Sequence, residues 1–112
     1  MKASIGIDCV EIARFRRLRG ASRRHFLERV FSGEERRYCG RFEDADSRLA
    51  GTFAAKEAVV KVLSGRVAVA DIEVLRKSTG SPTVKVRGRL RRDISVSITR
   101  AGGLACAVAL VL

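Results

Sequence analysis

Hydrophobic and polar positions change period several times along the chain. Residues 3–9 alternate: Ile5, Ile7 and Cys9 fall on one side, and Ser4, Gly6 and Asp8 on the other. This predicts a short strand with Asp8 near its end. Over 11–19 the apolar positions are Ile12, Phe15 and Leu18 with arginines between them, a helical spacing. Residues 24–31, with Phe26, Leu27, Val30 and Phe31, predict a second short helical piece. Ser32 followed by Glu35 has the form of a capping box for a third helix, running through Cys39 and stopping at Gly40. The longest predicted helix runs from about Ser47 to Leu63, with Leu49, Phe53, Val60 and Leu63 on one face and Ser64-Gly65 as its stop. The second half is strand-like. Segments 72–75 and 83–86 flank the Gly80-Ser81-Pro82 turn as a hairpin, and 94–99 alternates strictly before Ala101-Gly102-Gly103 turns it into a last strand, 104–111. The outline over 1–112 is a single α+β domain, helices packed on an antiparallel sheet.

Composition narrows the class. A chain of 112 residues, 46% hydrophobic and 31% charged, has a globular balance. A domain this small buries only roughly 60–70% of its unfolded surface, so oligomerisation is a plausible source of further burial. The longest apolar run, Leu104 to Leu112, falls far short of the about 20 residues needed to span a membrane. The opening Met1-Lys2-Ala3-Ser4-Ile5-Gly6 has no extended apolar region and no cleavage pattern, so a cytoplasmic protein is expected. Cys9, Cys39 and Cys106 are widely spaced, with no Cys-x-x-Cys pair, and suggest neither a zinc site nor a disulfide framework. The net charge of +11 attracts a polyanion, which could be nucleic acid, an anionic membrane or an acidic protein.

Two segments could carry chemistry. In Phe53-Ala54-Ala55-Lys56-Glu57-Ala58-Val59-Val60-Lys61, Glu57 and Lys61 stand four apart on one helical face. The plain reading is an exposed ion pair worth about 0.3–0.5 kcal/mol. The small alanines beside Glu57 also leave room for a ligand or another chain. In Ile5-Gly6-Ile7-Asp8-Cys9-Val10-Glu11-Ile12, Asp8 either starts the helix as a cap or offers a carboxylate to a metal from a rigid strand. Magnesium typically takes one or two protein carboxylates plus substrate phosphates, so Asp8 and Glu57 would suit it if the fold joins them.

The segments Gly6-Ile7-Asp8-Cys9-Val10-Glu11-Ile12 and Leu49-Ala50-Gly51-Thr52-Phe53-Ala54-Ala55-Lys56-Glu57-Ala58 resemble the two signatures of the holo-acyl carrier protein synthases, a 4'-phosphopantetheinyl transferase family. The resemblance continues, in order, through Phe26-Leu27-Glu28-Arg29-Val30-Phe31, Asp71-Ile72-Glu73-Val74 and Ser95-Val96-Ser97-Ile98-Thr99. It implies a trimer of compact α+β protomers with active sites between subunits. It also implies magnesium and coenzyme A as requirements, and an acidic acyl carrier protein as partner. The implied reaction moves phosphopantetheine onto a carrier serine and releases adenosine 3',5'-bisphosphate. By resemblance, Asp8 and Glu57 are magnesium ligands, and Asp8, Glu57 and Lys61 form the catalytic set. Lys61, Ser64, Gly65, Thr99 and Arg100 are the coenzyme-binding residues. The helix holding Arg14, Arg16, Arg17 and Arg19 would dock the carrier, with Arg14, Arg17, Leu18, Arg23 and Phe26 as the contacts. Whether the carrier serves fatty-acid or polyketide synthesis stays open.

Three positions depart from the family pattern around the coenzyme. Ile98 stands where a histidine is usual, Thr52 where many members have arginine, and the loop after the long helix is shortened to Ser64-Gly65-Arg66. Arg66 or Arg100 could take over some of the lost phosphate contacts. Retention of Asp8, Glu57 and Lys61 favours an active transferase with rearranged coenzyme contacts. The departures at Thr52 and Ile98 favour a relative that holds carrier protein without efficient transfer. A small nucleic-acid-binding protein fits the charge, but no tryptophan, one tyrosine and the lack of a recognition motif count against it.

Overall fold

The computed structural model describes residues 2–112. Two small antiparallel sheets and four helices build it. Strand β1 (Ser4–Glu11) is followed by helices α1 (Ile12–Arg16), α2 (Gly20–Val30), α3 (Gly33–Gly40) and α4 (Ala45–Val62). A 3-10 turn over Val69–Asp71 leads to β2 (Ile72–Arg76), β3 (Pro82–Val86), β4 (Arg89–Leu90), β5 (Ile94–Ala101) and β6 (Leu104–Val111). The first sheet has the order β1-β6-β5 and the second β2-β3-β4.

Most predicted elements are present, with informative differences. The helix expected over 11–19 stops at Arg16, because Gly20 turns the chain at φ +59° after an extended Arg19 and starts α2 earlier than expected. The capping box of α3 is formed: the Ser32 hydroxyl accepts from the Glu35 N–H, and Glu35 accepts from the Ser32 N–H. Gly40 does not act as a left-handed stop; it stays helical, and Arg41 closes α3 in right-handed geometry. Helix α4 starts earlier than Ser47 because Asp44 accepts from the Ser47 N–H and caps it. Its end falls as expected: Ser64 and Gly65 take φ of 61° and 69°, and the Gly65 N–H returns to the Val60 carbonyl at 2.9 Å. Strand β4 was not foreseen; its two residues are too short to leave a periodic signal.

Helix α4 organises the core. Its predicted single apolar face is too narrow: Leu49 to Lys56, Ala58, Val59 and Val62 are all buried, so both sides of the helix are covered. On one side it crosses the β1-β6-β5 sheet. Ala105, Ala107 and Ala109 of β6 have 0–1% exposure, and these small side chains let the helix lie close. Gly51 faces β5, where an added Cβ would meet Ile98 and Arg100. Ala58 faces β1, where a Cβ on Gly6 would come within 2.4 Å of the Ala58 carbonyl. From Gly51 to Ala58 the helix advances about 10.5 Å. That matches the roughly 9.6 Å separating the outer strands of a three-stranded sheet. The other side of α4 meets α1, α3 and β2, and Phe15, Phe26, Phe31 and Phe53 cluster there with ring centroids 5.7–6.4 Å apart.

Candidate active site

Asp8, Glu57 and Lys61 meet where β1 crosses the second half of α4. The crossing depends on Gly6: without a Cβ, β1 comes down onto the α4 backbone, beside Ala58, Lys61 and Val62. Strand alternation then turns Asp8 to the same side as Gly6. Lys61 reaches across, its Nζ donating to the Asp8 Oδ1 at 3.1 Å and to the Ile7 carbonyl at 2.9 Å. The expected Glu57–Lys61 helix-surface pair is therefore not the bond that forms; Lys61 is taken by β1. Glu57 lies one turn before Lys61, partly buried. Burial, and then the neighbouring Asp8 charge, raise its carboxyl above the usual range, while Lys61 and Arg14 oppose that rise. Arg14 on α1 also sits over the Phe53 ring at 5.4 Å, and Phe53 is one turn before Glu57. Arg14 thus stands at the rim of the carboxylate pair.

The other predicted residues are dispersed. Ser64 and Gly65 form the exposed, left-handed exit of α4, next in chain to Lys61. On β5, Thr99 is exposed on the outer face of the sheet, whereas Arg100 turns inward and lies across Gly51. Asp8, Ala107 and Ile98 form one row across the sheet through the paired registers. Asp8 and β5 are therefore on opposite edges, and the chain does not bring Thr99 or Arg100 to Asp8. The Arg100 cation is disfavoured by burial and by Arg48 and Arg76 nearby. Thr52 is buried, with its hydroxyl 3.6 Å from the Cys39 sulfur. Among the residues expected to dock a carrier, Arg14 and Arg17 are exposed and Leu18 is half-buried against the core. Arg23 is committed internally, donating to the Phe15 carbonyl at 2.9 Å and to Asp46 at 2.6 Å. Phe26 packs into the phenylalanine cluster.

A buried ion pair behind the site went unread in the sequence. Lys56 Nζ donates to Glu35 Oε1 at 2.6 Å and to the Val30 carbonyl at 2.5 Å. Glu35 also accepts from the Ser32 N–H at 2.9 Å and the Val74 N–H at 2.7 Å. Burial lowers the Lys56 pKa, and Glu35 acts against that shift. Five segments are tied to this pair: the end of α2, the turn at Ser32, α3, α4 and β2. The only sequence signal was the capping box, which explains one of the bonds to Glu35.

Asp8 and Glu57 suit a hard divalent cation. Both offer oxygen donors, both are partly exposed, and their mutual repulsion is the kind of stress that a shared cation relieves. No set of three or more His, Cys, Asp or Glu side chains converges among the described residues. A cation here would rely on two carboxylates, with its remaining positions left to water and substrate, as is common for magnesium.

The sequence pattern of the 4'-phosphopantetheinyl transferase superfamily matches residues 4–109. A holo-[acyl-carrier-protein] synthase of Moorella thermoacetica is 40% identical, covering 95% of this chain and 91% of that protein. One of Anaeromyxobacter dehalogenans is 35% identical, covering 99% and 96%. The crystal structure of Helicobacter pylori holo-[acyl-carrier-protein] synthase in complex with coenzyme A superposes with a TM-score of 0.81 at 31% identity, covering 96% of this chain and 99% of that one. No helix among the described residues is long and apolar enough to cross a membrane.

Proposed function

Because the chain belongs to the 4'-phosphopantetheinyl transferase superfamily, we propose that it is the transferase that moves 4'-phosphopantetheine from coenzyme A to a serine of an apo-acyl carrier protein, with magnesium. The observation that carries this reading is the meeting of Asp8, Glu57 and Lys61 at the β1–α4 crossing. The serine oxygen forms a bond to the phosphorus bearing the pantetheine arm. The diphosphate P–O bond breaks, and adenosine 3',5'-bisphosphate leaves. Such a transfer depends mainly on alignment and on neutralising phosphate charge. Magnesium, when bound by Asp8 and Glu57, supplies charge that neutralises the diphosphate. Lys61 is drawn to this point by Asp8 and the Ile7 carbonyl, and adds a cation for the departing phosphate. The serine proton would pass to Glu57 or to a water at the magnesium.

Ser64 and Gly65 extend the site from the end of α4. Thr99 and Arg100 would complete it from a second protomer, since within one chain they lie across the sheet from Asp8. That separation, with Ile5 and Ile7 exposed at 72% and 58%, supports a trimer that shares its sites. Arg14, Arg17 and Leu18 line the approach from α1 and are the contacts we assign to an acidic carrier helix; Arg23 and Phe26 hold that region in shape. Cytoplasmic residence fits these substrates. Arg66 or Arg100 would offset the altered contacts at Ile98 and Thr52; the Arg100 guanidinium lies over Gly51, next to Ile98.

The test is an intact-mass assay of apo-carrier with the protein, coenzyme A and magnesium. The expected result is a gain of one phosphopantetheine, abolished by EDTA and in Asp8→Asn and Glu57→Gln while both variants stay folded. No gain across several carriers that the folded protein still binds would turn the reading to carrier binding without transfer. Near-normal turnover in either variant at saturating magnesium would refute the metal assignment.

A further inference from the structure

Lys61 is tied to β1 at both ends of its side chain. Its Cβ lies 3.2 Å from the point where a Gly6 side chain would begin. The stem then follows the strand, and Nζ donates to the Ile7 carbonyl at 2.9 Å and to Asp8 Oδ1 at 3.1 Å. The two acceptors differ in kind. The carbonyl belongs to the backbone of an edge strand and stays where the strand puts it. The Asp8 bond is an ion pair with the lysine side chain 53% exposed, and such pairs contribute little to stability. Burial and then Asp8 raise the Glu57 pKa, and Lys61 opposes the rise, so one ammonium serves two carboxylates. The same two carboxylates suit a divalent cation. That ion and the ammonium would be close like charges on the Asp8 carboxylate, and charges so placed repel. The ammonium carries half the charge and is the weaker competitor.

We propose that Lys61 is the resident counter-ion of the Asp8–Glu57 pair and gives up Asp8 when a divalent cation binds, pivoting on the Ile7 carbonyl to present its ammonium to the substrate phosphate. The inference rests on the transferase reading, whose cation and phosphate it uses. Lys61 then acts twice. Before the cation arrives it makes two neighbouring carboxylates compatible, and afterwards it is the charge set free for phosphate. In the protein without coenzyme the cation binds against Lys61, because it has to displace the ammonium from Asp8. The order that follows is cation first and phosphate second. The pivot is short, since the Gly6 contact and the Ile7 carbonyl keep the stem on β1 throughout.

The test is calorimetric titration of the full chain, as it assembles in solution, with magnesium alone and no coenzyme. The parent is compared with Lys61→Met, which keeps the stem and removes the charge, and with Lys61→Arg, which keeps the charge. Magnesium is expected to bind Lys61→Met roughly two- to fivefold more tightly than the parent, the worth of an exposed pair, and Lys61→Arg no more tightly than the parent. Crystals of the parent grown with EDTA should show Nζ on both Asp8 and the Ile7 carbonyl. Crystals grown with magnesium should show it on the carbonyl alone. Equal or weaker binding by Lys61→Met would overturn the proposal, as would a magnesium-bound crystal in which Nζ still holds Asp8, or no magnesium binding by either protein. Undiminished binding by Asp8→Asn would remove the metal assignment itself and this inference with it. The two failures are thus told apart by different variants, and neither reading uses transfer activity.

Discussion

Glu35→Gln isolates the buried pair behind the site. The substitution keeps the size of the side chain and removes its charge, leaving the fully buried Lys56 cation with neutral acceptors, the Val30 carbonyl and the new amide oxygen. Breaking a buried ion pair by neutralising one member costs about 3–5 kcal/mol, because the other charge stays desolvated. The reciprocal capping bond to Ser32 weakens as well, adding a few tenths of a kcal/mol or more. A domain of this size holds roughly 5–15 kcal/mol in total, so about a fifth of the stability or more is at stake. In urea, with a slope of roughly 1.5–2 kcal/mol/M, the midpoint is expected to fall by about 1.5–3 M at fixed protomer concentration. The deficit also has a pH signature. Burial holds the Lys56 pKa below its ordinary value, and loss of Glu35 removes the largest of the charges that oppose this. Between the folded and unfolded pKa of that lysine the unfolded chain binds more protons, so stability rises with pH there. The gap between variant and parent should therefore narrow as pH climbs toward the ordinary lysine range near 10. Glu35→Gln with Lys56→Met removes both charges and should recover much of the loss. A Glu35→Gln loss below about 1 kcal/mol, with no narrowing at high pH, would refute the view that this pair ties α3, α4 and β2 together.

Further outcomes follow from the same contacts. Gly6→Ala puts a Cβ 2.4 Å from the Ala58 carbonyl, a backbone atom, so β1 must lift from α4; about 1–3 kcal/mol of stability and most of the transfer activity should be lost together, as read by denaturation and by the mass assay. Gly51→Ala meets the flexible tip of Arg100 at 2.7 Å and the Ile98 methyl at 3.1 Å, and should cost less. Asp44 is held at a pKa of about 2 by its hydrogen bonds to Arg16; its contribution is present above the ordinary carboxyl range and lost as pH falls toward 2, so Asp44→Asn should flatten the acid limb of the stability profile. Reversing Arg14 and Arg17 to Glu should weaken carrier binding far more than coenzyme binding in calorimetry, with a reduced salt dependence; equal losses would remove α1 from the docking role.

What the sequence disclosed and what it withheld divide along a physical line. Signals that act over a few residues were legible: the β1 alternation, the Ser32–Glu35 box, and the Ser64-Gly65 exit. Each is a local bond or a local φ. The extent of α4 was harder, because its alanines bury without leaving an amphipathic stripe; a helix covered on both sides has no polar face to betray it. Pairings across the fold were invisible. Nothing in the spacing of Glu35 and Lys56 joins them before β2 and α4 enclose them, and the bonds from Arg23 to Asp46 and the Phe15 carbonyl leave no local trace either. The candidate site lies between these cases. Spacing placed Glu57 and Lys61 on one helix face, but the partner that Lys61 takes is Asp8, on a strand that reaches the helix because Gly6 has no side chain. The residue that makes the site is thus one that carries no chemistry. Gly6 could be read as part of a resemblance to a family signature, but its role emerges once the Ala58 carbonyl is seen beneath it.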